Sequence, residues 1–246
     1  MTAVTEAVIL MAGQGSRLRD KSFLKPFAPV LGRPLISYAL NAFTCAGIKA
    51  VHFVVGYESE RTIAQLERLI PSTITACFIK NREWQLCNGV SLLAAAGRVH
   101  APFLLTMGDH LFEEQIIDGL LDHSDPGLLN LAVDRKLDSI FDLDDAMKIQ
   151  TRGQSIAAIG KHLRDYDAID TGLFVCPSEV FDYLRRARSD GGRNDCSIAD
   201  AVRLMAADNK AIAIDIADAW WQDVDTPEML QHAEEQMSRR VLRPAP

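Results

Sequence analysis

The stretch Ala7–Gly15, which reads AVILMAGQG, decides the fold. Its first five residues are all apolar, which is typical of a strand buried on both faces of a parallel sheet. The glycines at positions 13 and 15 allow a tight turn whose backbone N–H groups can approach a phosphate closely. Because ligands of such sheets bind at the carboxyl ends of the strands, the stretch predicts a phosphate-binding loop.

Outward from this stretch, apolar runs alternate with amphipathic segments, and this alternation indicates an α/β fold with a largely parallel sheet. After Gly127 the strands have little helix between them, so we expect a smaller mixed β extension over the substrate side. Neither a linker nor a repeat interrupts the sequence, which predicts a single domain over residues 1–246. The predicted strands are 7–11, 51–55, 74–79, 103–107, 128–133, 147–151, 156–159, 171–176 and 212–216. The predicted helices are 35–47, 59–69, 89–98, 178–188, 198–206 and 227–240.

Composition narrows the function classes. The 246 residues are 48% hydrophobic and 24% charged, with a net charge of -7 and a sequence pI near 5.4. That acidity argues against a nucleic-acid partner, which would favour a basic face. The five cysteines lack C-x-x-C spacing and are expected to be buried free thiols in a reducing compartment. No apolar run reaches the length of a membrane span, so we expect a cytoplasmic protein without membrane insertion.

Two cations accompany the glycine loop. Arg17 offers a fork suited to phosphate oxygens, and Lys25 offers a point charge. A dinucleotide loop would need glycine where Leu18 stands, and the G-K-[ST] of a P-loop is missing. The alternative is a solvated basic loop, which the position after a buried strand disfavours.

Three aspartates are candidate ligands for a cation beside the glycine loop. Asp109 comes directly after the predicted strand 103–107, where it could hold Mg²⁺ against a phosphate or cap the next helix. Asp223 and Asp225 alternate with Val224, so an extended chain would point both toward one cation. Asp225 could instead cap the closing helix. The residues alone leave both readings open.

Three motifs together resemble the sugar-phosphate nucleotidyltransferase superfamily: residues 10–18 with Lys25-Pro26, then Gly108-Asp109-His110, and finally the stretch DVDTPE at 223–228. Within it, the sequence is most similar to the CTP:inositol-1-phosphate cytidylyltransferases. That likeness runs in order over nearly the whole chain. Its stretches are NGVSL at 88–92, LTMGDH at 105–110, AMKI at 146–149, IGKHLR at 159–164 and DTGLFV at 170–175.

The resemblance implies a Rossmann-like nucleotidyltransferase fold and a reaction. An acceptor phosphate would attack the α-phosphorus of CTP in line, with Mg²⁺ as cofactor, and would release pyrophosphate and CDP-inositol. Asp109 and Asp225 would hold the metal, with Asp223 as the alternative to Asp225. Arg17 and Lys25 would be catalytic. The implied nucleotide-binding residues are Met11, Ala12, Gly13, Gly15, Ser16, Arg17, Asn88, Gly89, Ser91 and Gly108. The implied acceptor-binding residues are Lys148, Lys161, Asp170, Thr171 and Gly172, with Lys148 on the phosphate.

Several of these residues could instead have purely structural roles. Each lysine alone would more often be an exposed strand residue. Asn88 could simply cap a helix. His110 is expected to pack or hydrogen-bond, because a phosphate monoester is already an anionic nucleophile and needs no general base. The tryptophans, Trp84, Trp220 and Trp221, are expected in walls and core.

The sequence departs from the family pattern at Met11, where alanine is usual, and at Cys87, where glycine is usual. Many relatives also carry a membrane-embedded domain, so we expect a separate membrane transferase to use the CDP-alcohol. A sugar 1-phosphate, phosphocholine or 2-aminoethylphosphonate is an alternative acceptor. A catalytically idle nucleotide-binding homologue is disfavoured because Arg17, Lys25, Asp109 and Asp225 are all present. A homo-oligomer stays open.

Overall fold

A computed structural model of the chain describes residues 4–15, 18, 24–190, 192 and 194–241. The strands are β1 (Glu6–Met11), β2 (Pro29–Val30), β3 (Arg33–Pro34), β4 (Ala50–Val55), β5 (Thr75–Lys80), β6 (Phe103–Met107), β7 (His110–Phe112), β8 (Leu129–Asp134), β9 (Lys148–Arg152), β10 (Ser155–Gly160), β11 (Ala168–Cys176), β12 (Ala211–Asp215) and β13 (Trp221–Asp223). The helices are α1 (Ile36–Cys45), α2 (Ser59–Leu66), α3 (Asn88–Leu93), α4 (Glu114–His123), α5 (Val180–Asp190), α6 (Ile198–Ala207) and α7 (Pro227–Val241).

One nine-stranded sheet, in the order β5-β4-β1-β6-β11-β8-β12-β10-β9, organises the fold. The four strands β5, β4, β1 and β6 are all parallel. β8 and β12 are also parallel to each other, and the other neighbours in the sheet are antiparallel. The expected mixed α/β sheet with a β-rich second half is therefore confirmed, and its fully parallel portion lies at the amino-terminal side.

The second half of the sheet turns back on itself. The first residues of β11 pair with β9, while the rest of that strand pairs with β6 and β8. The pairings β11–β8–β12–β10–β9–β11 therefore close a ring of five strands. β11 pairs with β8 on both sides of a register shift between Asp170 and Phe174, and across this shift its other neighbour changes from β9 to β6.

Two apolar layers cover the parallel sheet because alternate side chains of a strand face opposite sides. Val8 and Leu10 of β1 lie in a core with α3, α5 and α6, whereas Ala7 and Ile9 lie in a core with α1 and α4. All four side chains are buried, with at most 6% of their surface exposed. The continuous apolar character of β1 follows from this two-sided burial.

The predicted strands and helices of the main sheet are confirmed to within a few residues. α3 ends at Leu93 rather than near Arg98, and turns continue the chain to Gly97, whose φ of 74° ends the segment. β2 and β3 form a small hairpin, and β7 pairs with β13; neither pair was predicted. Two- and three-residue strands carry too few side chains to produce a detectable alternation.

The cysteine prediction is right in one respect and wrong in another. No disulfide joins any of the five cysteines, but only Cys176 and Cys196 are buried, and Cys45 and Cys87 are exposed. Of the helices that lie in the described ranges, none has the length and apolar character that spanning a bilayer requires.

Candidate active site

A cavity of about 390 Å³ opens at the carboxyl ends of β1 and β6, where the sequence predicted a phosphate-binding loop. We call it the loop cavity. Its lining includes residues of the glycine loop, of α3 and of the segment after β6. The lining residues are Leu10, Met11, Ala12, Gly13, Gly15, Lys25, Pro26, Trp84, Leu86, Asn88, Ser91, Met107, Gly108, Asp109 and Asp225.

Close backbone approaches shape the loop cavity. Gly15 has a φ of 56°, and a β-carbon there would lie 2.8 Å from Cβ of Lys25. Gly108 donates its N–H to the carbonyl of Leu10 at 2.9 Å, and a β-carbon on it would lie 3.0 Å from Cβ of Met11. Any side chain at these glycines would push the loop away from the sheet end. Ser16 and Arg17, predicted to bind phosphate, lie outside the described residues.

Lys25 lies between two carboxylates. Its ammonium donates to Oδ2 of Asp109 and to Oδ1 of Asp225, which are 84 and 200 residues away in sequence. The lysine side chain is 12% exposed, so the three charges are largely removed from water. The fold therefore brings Asp109 and Asp225 together at the Lys25 ammonium, and their role as metal ligands stays a prediction.

His110 supports this cluster from the other side. Its Nδ1 lies 2.7 Å from Oδ1 of Asp109, and its ring stacks on Trp221 with centroids 6.2 Å apart. Burial by itself would raise the pKa of Asp109, but the charge of Lys25 and the contact with His110 hold that pKa below its usual range. Burial by itself would lower the pKa of His110, but the hydrogen bond and charge of Asp109 raise it.

Asp223 has a different position. It pairs with His110 across the β7–β13 ribbon, and its side chain does not contact Lys25. The neighbouring Val224 donates its N–H to the carbonyl of Asp109 at 2.9 Å, which locks the two segments together. Of the two alternatives for a metal ligand, Asp225 is the residue placed beside Asp109.

A second cavity of about 450 Å³ adjoins the first, and we call it the α7 cavity because one face of α7 lines it. Asn88, Met107 and Asp225 line both cavities. A ligand in each cavity would therefore meet the other at Asp225. The carboxylate, lysine and arginine side chains that line the α7 cavity are Asp134, Lys136, Asp142, Asp145, Lys161, Asp170, Asp218, Asp223, Asp225 and Arg240.

Three predicted acceptor-binding residues line the α7 cavity, namely Lys161, Asp170 and Gly172. Lys161 lies 2.5 Å from Oδ1 of Asp145 and is nearly half exposed. Asp170 accepts the N–H of Gly172 at 2.7 Å. Burial raises the pKa of Asp170 to about 6, against the lowering effects of that hydrogen bond and of His110.

The structure places three other predicted residues in packing roles. The ammonium of Lys148 is buried and donates to the carbonyls of Leu143 and Ala146, at 2.7 and 3.1 Å, and to that of Asp144. It does not line the α7 cavity, so the prediction that it binds the acceptor phosphate is not supported by this geometry. The side chain ties down the 143–146 wall instead, and a buried ammonium needs such acceptors.

Thr171 and Gly89 likewise lie behind the cavities rather than in them. Thr171 is fully buried and donates its hydroxyl to the carbonyl of Ala132 at 2.8 Å. A β-carbon at Gly89 would lie 2.6 Å from the carbonyl oxygen of Cys196. Gly89 therefore allows the start of α6 to pack against α3, and this packing supports Asn88 from behind.

Several lining residues were not predicted. His232, Gln236 and Arg240 recur every four residues on α7 and face the α7 cavity. Arg240 donates to Oε1 of Glu113 at 2.7 Å, and its buried Nε has no hydrogen-bond partner. The i, i+4, i+8 spacing is visible in the sequence, but only the fold shows that this helix returns to the sheet end.

The two joined cavities suggest what the site can do chemically. One has a glycine loop, a lysine and two carboxylates, which suit a polyphosphate and its cation. The other is larger and mixes carboxylates, cations and aromatic rings, which suit a small polar molecule. Their shared wall would place a reacting atom of each ligand close together. This fold and site define a nucleotidyltransferase.

The comparisons give the family. The sequence profile of the MobA-like NTP transferase domain matches residues 7–203, and the chain belongs to this family. A protein of Rubrobacter xylanophilus called "Bifunctional IPC transferase and DIPP synthase" is 31% identical over 232 residues, covering 93% of this chain and 51% of that protein. A protein of the same name from Aquifex aeolicus is 27% identical over 242 residues, covering 98% of this chain and 53% of the relative. The chain thus spans about half the length of these relatives.

A solved structure supports the fold. The inositol-1-phosphate CTP transferase from T. maritima superposes with a TM-score of 0.84 at 24% identity, over 99% of both chains. At this identity the likeness shows the fold alone. It is consistent with a family match that covers most of the chain.

Proposed function

We propose that this protein transfers CMP from CTP to inositol 1-phosphate, or to a closely similar phosphorylated polyol, and releases pyrophosphate. The observation that carries the proposal is the junction of the loop cavity and the α7 cavity at Asp225, beside Lys25 and Asp109. The name of the similar T. maritima structure, an inositol-1-phosphate CTP transferase, favours inositol phosphate and CTP as substrates.

In this proposal the triphosphate lies in the loop cavity. Backbone N–H groups near Gly13 and Gly15 would face phosphate oxygens, as in other glycine-rich anion sites. Lys25 would balance charge on the α-phosphate as the acceptor phosphate attacks and pyrophosphate leaves. The phosphorus–oxygen bond to the acceptor forms while the bond to the β-phosphate breaks, without a covalent enzyme intermediate. The protein's contribution is positioning and charge stabilisation.

The residues around Lys25 fit a magnesium ion. The carboxylates of Asp109 and Asp225 converge on the ammonium of Lys25. In sites that bind phosphates, Mg²⁺ is usually held by one or two carboxylates together with substrate phosphates. Within the described ranges, no group of three or more His, Cys, Asp or Glu side chains is assembled that could hold a metal, so a triphosphate would have to complete the coordination. The metal would neutralise phosphate charge when bound.

The α7 cavity fits a polyol acceptor. Asp170 and Asp223 supply carboxylates that can accept hydroxyl hydrogen bonds, and Lys161 supplies a cation for the acceptor phosphate. This assignment replaces Lys148 with Lys161 as the main phosphate contact. The product would be a CDP-alcohol, formed in the cytoplasm and available to a separate transferase that uses such activated alcohols.

A second acceptor class has one observation in its favour. Trp220, Trp221 and Phe141 line the α7 cavity together with carboxylates such as Asp218, and aromatic rings with carboxylates can surround a quaternary or primary ammonium. Phosphocholine and 2-aminoethylphosphonate therefore belong in the test. A hydroxyl-rich acceptor would use the same carboxylates as hydrogen-bond acceptors.

The test is pyrophosphate release with Mg²⁺, in which each of the four nucleoside triphosphates is combined with inositol 1-phosphate, glucose 1-phosphate, phosphocholine or 2-aminoethylphosphonate. The proposal predicts fast release with CTP and inositol 1-phosphate only. Release with CTP and either phosphocholine or 2-aminoethylphosphonate would instead assign the protein the second class of acceptor. Absence of release in every combination would contradict both.

A further inference from the structure

Asn81 is a buried polar residue directly behind the loop cavity. It follows β5, is 6% exposed and does not line the cavity. Its backbone N–H donates to the carbonyl of Val55 at 2.7 Å, which fixes the position of the residue against the sheet. Its side-chain oxygen accepts the N–H of Glu83 at 2.9 Å, and its side-chain nitrogen donates to Oγ of Ser91 at 3.0 Å.

These contacts determine the direction of the hydrogen bond to Ser91. The Glu83 N–H can only donate, so the oxygen of the Asn81 amide must face it and the NH₂ group must face Ser91. The Ser91 hydroxyl therefore accepts from Asn81, and its own hydrogen is available for another partner. Ser91 is 5% exposed and lines the loop cavity, so it presents a donor to a ligand there.

The side chain of Asn88 is also oriented with a hydrogen-bond donor available. Its side-chain oxygen accepts the N–H of Ile198 at the start of α6, at 2.9 Å. That leaves its NH₂ group as the donor end, and Asn88 lines the loop cavity one helical turn from Ser91. Trp84 and Leu86 supply apolar wall beside them, which suits the face of a planar base. Both polar side chains at this end of the cavity thus offer donors.

We propose that Asn81 is a positioning residue for base selection, because its hydrogen bond to Ser91 favours donation by the Ser91 hydroxyl toward N3 of cytosine. Cytosine carries an unprotonated N3 that accepts a hydrogen bond, whereas uracil carries an N3–H that donates one. Accepting from Asn81 occupies one lone pair of the Ser91 hydroxyl and strengthens that hydroxyl as a donor, which matches N3 of cytosine. With uracil the hydroxyl would have to turn its hydrogen away and accept through its remaining lone pair, which is less favourable. This inference rests on the proposed binding of CTP and assigns its discrimination against UTP to a residue outside the cavity.

The experiment reverses the polarity with Asn81→Asp. One carboxylate oxygen can still accept the Glu83 N–H, while the other accepts the hydrogen of Ser91 and turns a lone pair of the hydroxyl toward the ligand. Calorimetric titration with CTP and with UTP, in Mg²⁺ and without acceptor, gives the ratio of the two dissociation constants. We expect the preference for CTP to fall by at least about tenfold. The added charge should weaken both nucleotides alike, and the ratio removes that effect.

Two further variants complete the test. Ser91→Ala should lower the preference for CTP in the same direction, and it keeps the inference testable should Asn81→Asp not fold. Asn209→Asp adds the same charge in the exposed turn after α6 and should leave the ratio unchanged. If the wild type prefers CTP, an unchanged ratio of the two dissociation constants in either Asn81→Asp or Ser91→Ala would overturn the inference. Equal binding of CTP and UTP by the wild type would contradict the proposed base itself.

Discussion

Gly172 lies so close to His110 that a β-carbon on the glycine would be 2.3 Å from Nε2 of the imidazole. Gly172 also has a φ of 74°, a conformation that other residues adopt only with strain. The contact links the register shift of β11 to the cation cluster, because the other ring nitrogen of His110 holds Asp109. The position of the Asp109 carboxylate thus depends on the absence of a side chain at Gly172 in β11.

Gly172→Ala should therefore impair catalysis as well as stability. We expect a fall in kcat/KM on the order of tenfold to a hundredfold, because a 1 Å displacement of a catalytic group has effects of that size. Gly153→Ala is the matched control: its φ is 62°, and nothing lies within 4 Å of the new β-carbon. Both variants should lose about 1 kcal/mol or more of unfolding free energy through backbone strain. Unchanged kcat/KM in Gly172→Ala would show that His110 does not position Asp109.

The carboxylates at the junction should differ in importance. Asp109→Asn and Asp225→Asn should each reduce turnover by at least about a hundredfold, since each removes a proposed carboxylate ligand of Mg²⁺ and a charged partner of Lys25. Asp223→Asn should have a smaller effect, because Asp223 does not contact Lys25. Initial rates measured over a range of Mg²⁺ concentrations check this order. Near-normal activity of Asp109→Asn at limiting Mg²⁺ would contradict the metal assignment.

The two candidate lysines should separate into different roles. Lys161→Ala should raise the KM for the acceptor by roughly tenfold and leave that for the triphosphate unchanged, because it removes one charge-assisted contact. Lys148→Ala should chiefly lower the melting temperature, since it leaves three carbonyls without their donor. Steady-state kinetics and thermal unfolding of both variants distinguish the roles. A selective rise in acceptor KM for Lys148→Ala alone would restore the original prediction.

Asp170 gives a prediction about pH. Its pKa of about 6 lies above the value of an unfolded aspartate, so the folded state binds more protons than the unfolded state between about pH 4 and 6. Ionisation of Asp170 therefore reduces stability as pH rises through this window. Asp170→Asn should raise the melting temperature at pH 7.5 and have little effect at pH 4. The same variant should weaken acceptor binding at pH 7.5, where the ionised carboxylate would accept hydroxyl hydrogen bonds.

Acceptor affinity of the wild type should fall as pH drops through about 6, because Asp170 becomes protonated and loses acceptor capacity. The acceptor KM of the wild type and of Asp170→Asn, measured from pH 5 to 8, checks this, because the acceptor phosphate has a second pKa of about 6 whose effect is common to both enzymes. Equal melting temperatures of the wild type and Asp170→Asn at pH 7.5 would contradict the burial cost assigned to Asp170.

The sequence predicts the parts of the fold that local patterns encode. The apolar run of β1 and the Gly13–Gly15 turn predicted a loop at the sheet end, and the fold places a cavity there. It could not predict that Lys25 reaches both Asp109 and Asp225, because separations of 84 and 200 residues are closed only by the sheet order. The roles of Lys25, Asp109 and Asp225 in the reaction are predictions that the variants described above test.

Lys148 and Arg240 show where sequence reasoning is weakest. A lysine at a strand start can face a cavity or fold back on carbonyls, and the sequence around Lys148 is compatible with both. Arg240 ends the helix predicted over residues 227–240, and that pattern names no partner for it, whereas the fold carries it to the α7 cavity and to Glu113. Long side chains adopt the partner that the tertiary fold supplies, and local propensity does not specify that partner.

The central claim is that the acceptor phosphate attacks the α-phosphorus of CTP across the junction of the two cavities. The most direct test uses inositol 1-phosphate whose phosphate oxygens carry ¹⁸O, incubated with CTP and Mg²⁺ and analysed by mass spectrometry. We predict CDP-inositol that retains all the label and an equal amount of unlabelled pyrophosphate. Labelled pyrophosphate, or CMP formed by attack of water in place of CDP-inositol, would contradict the account.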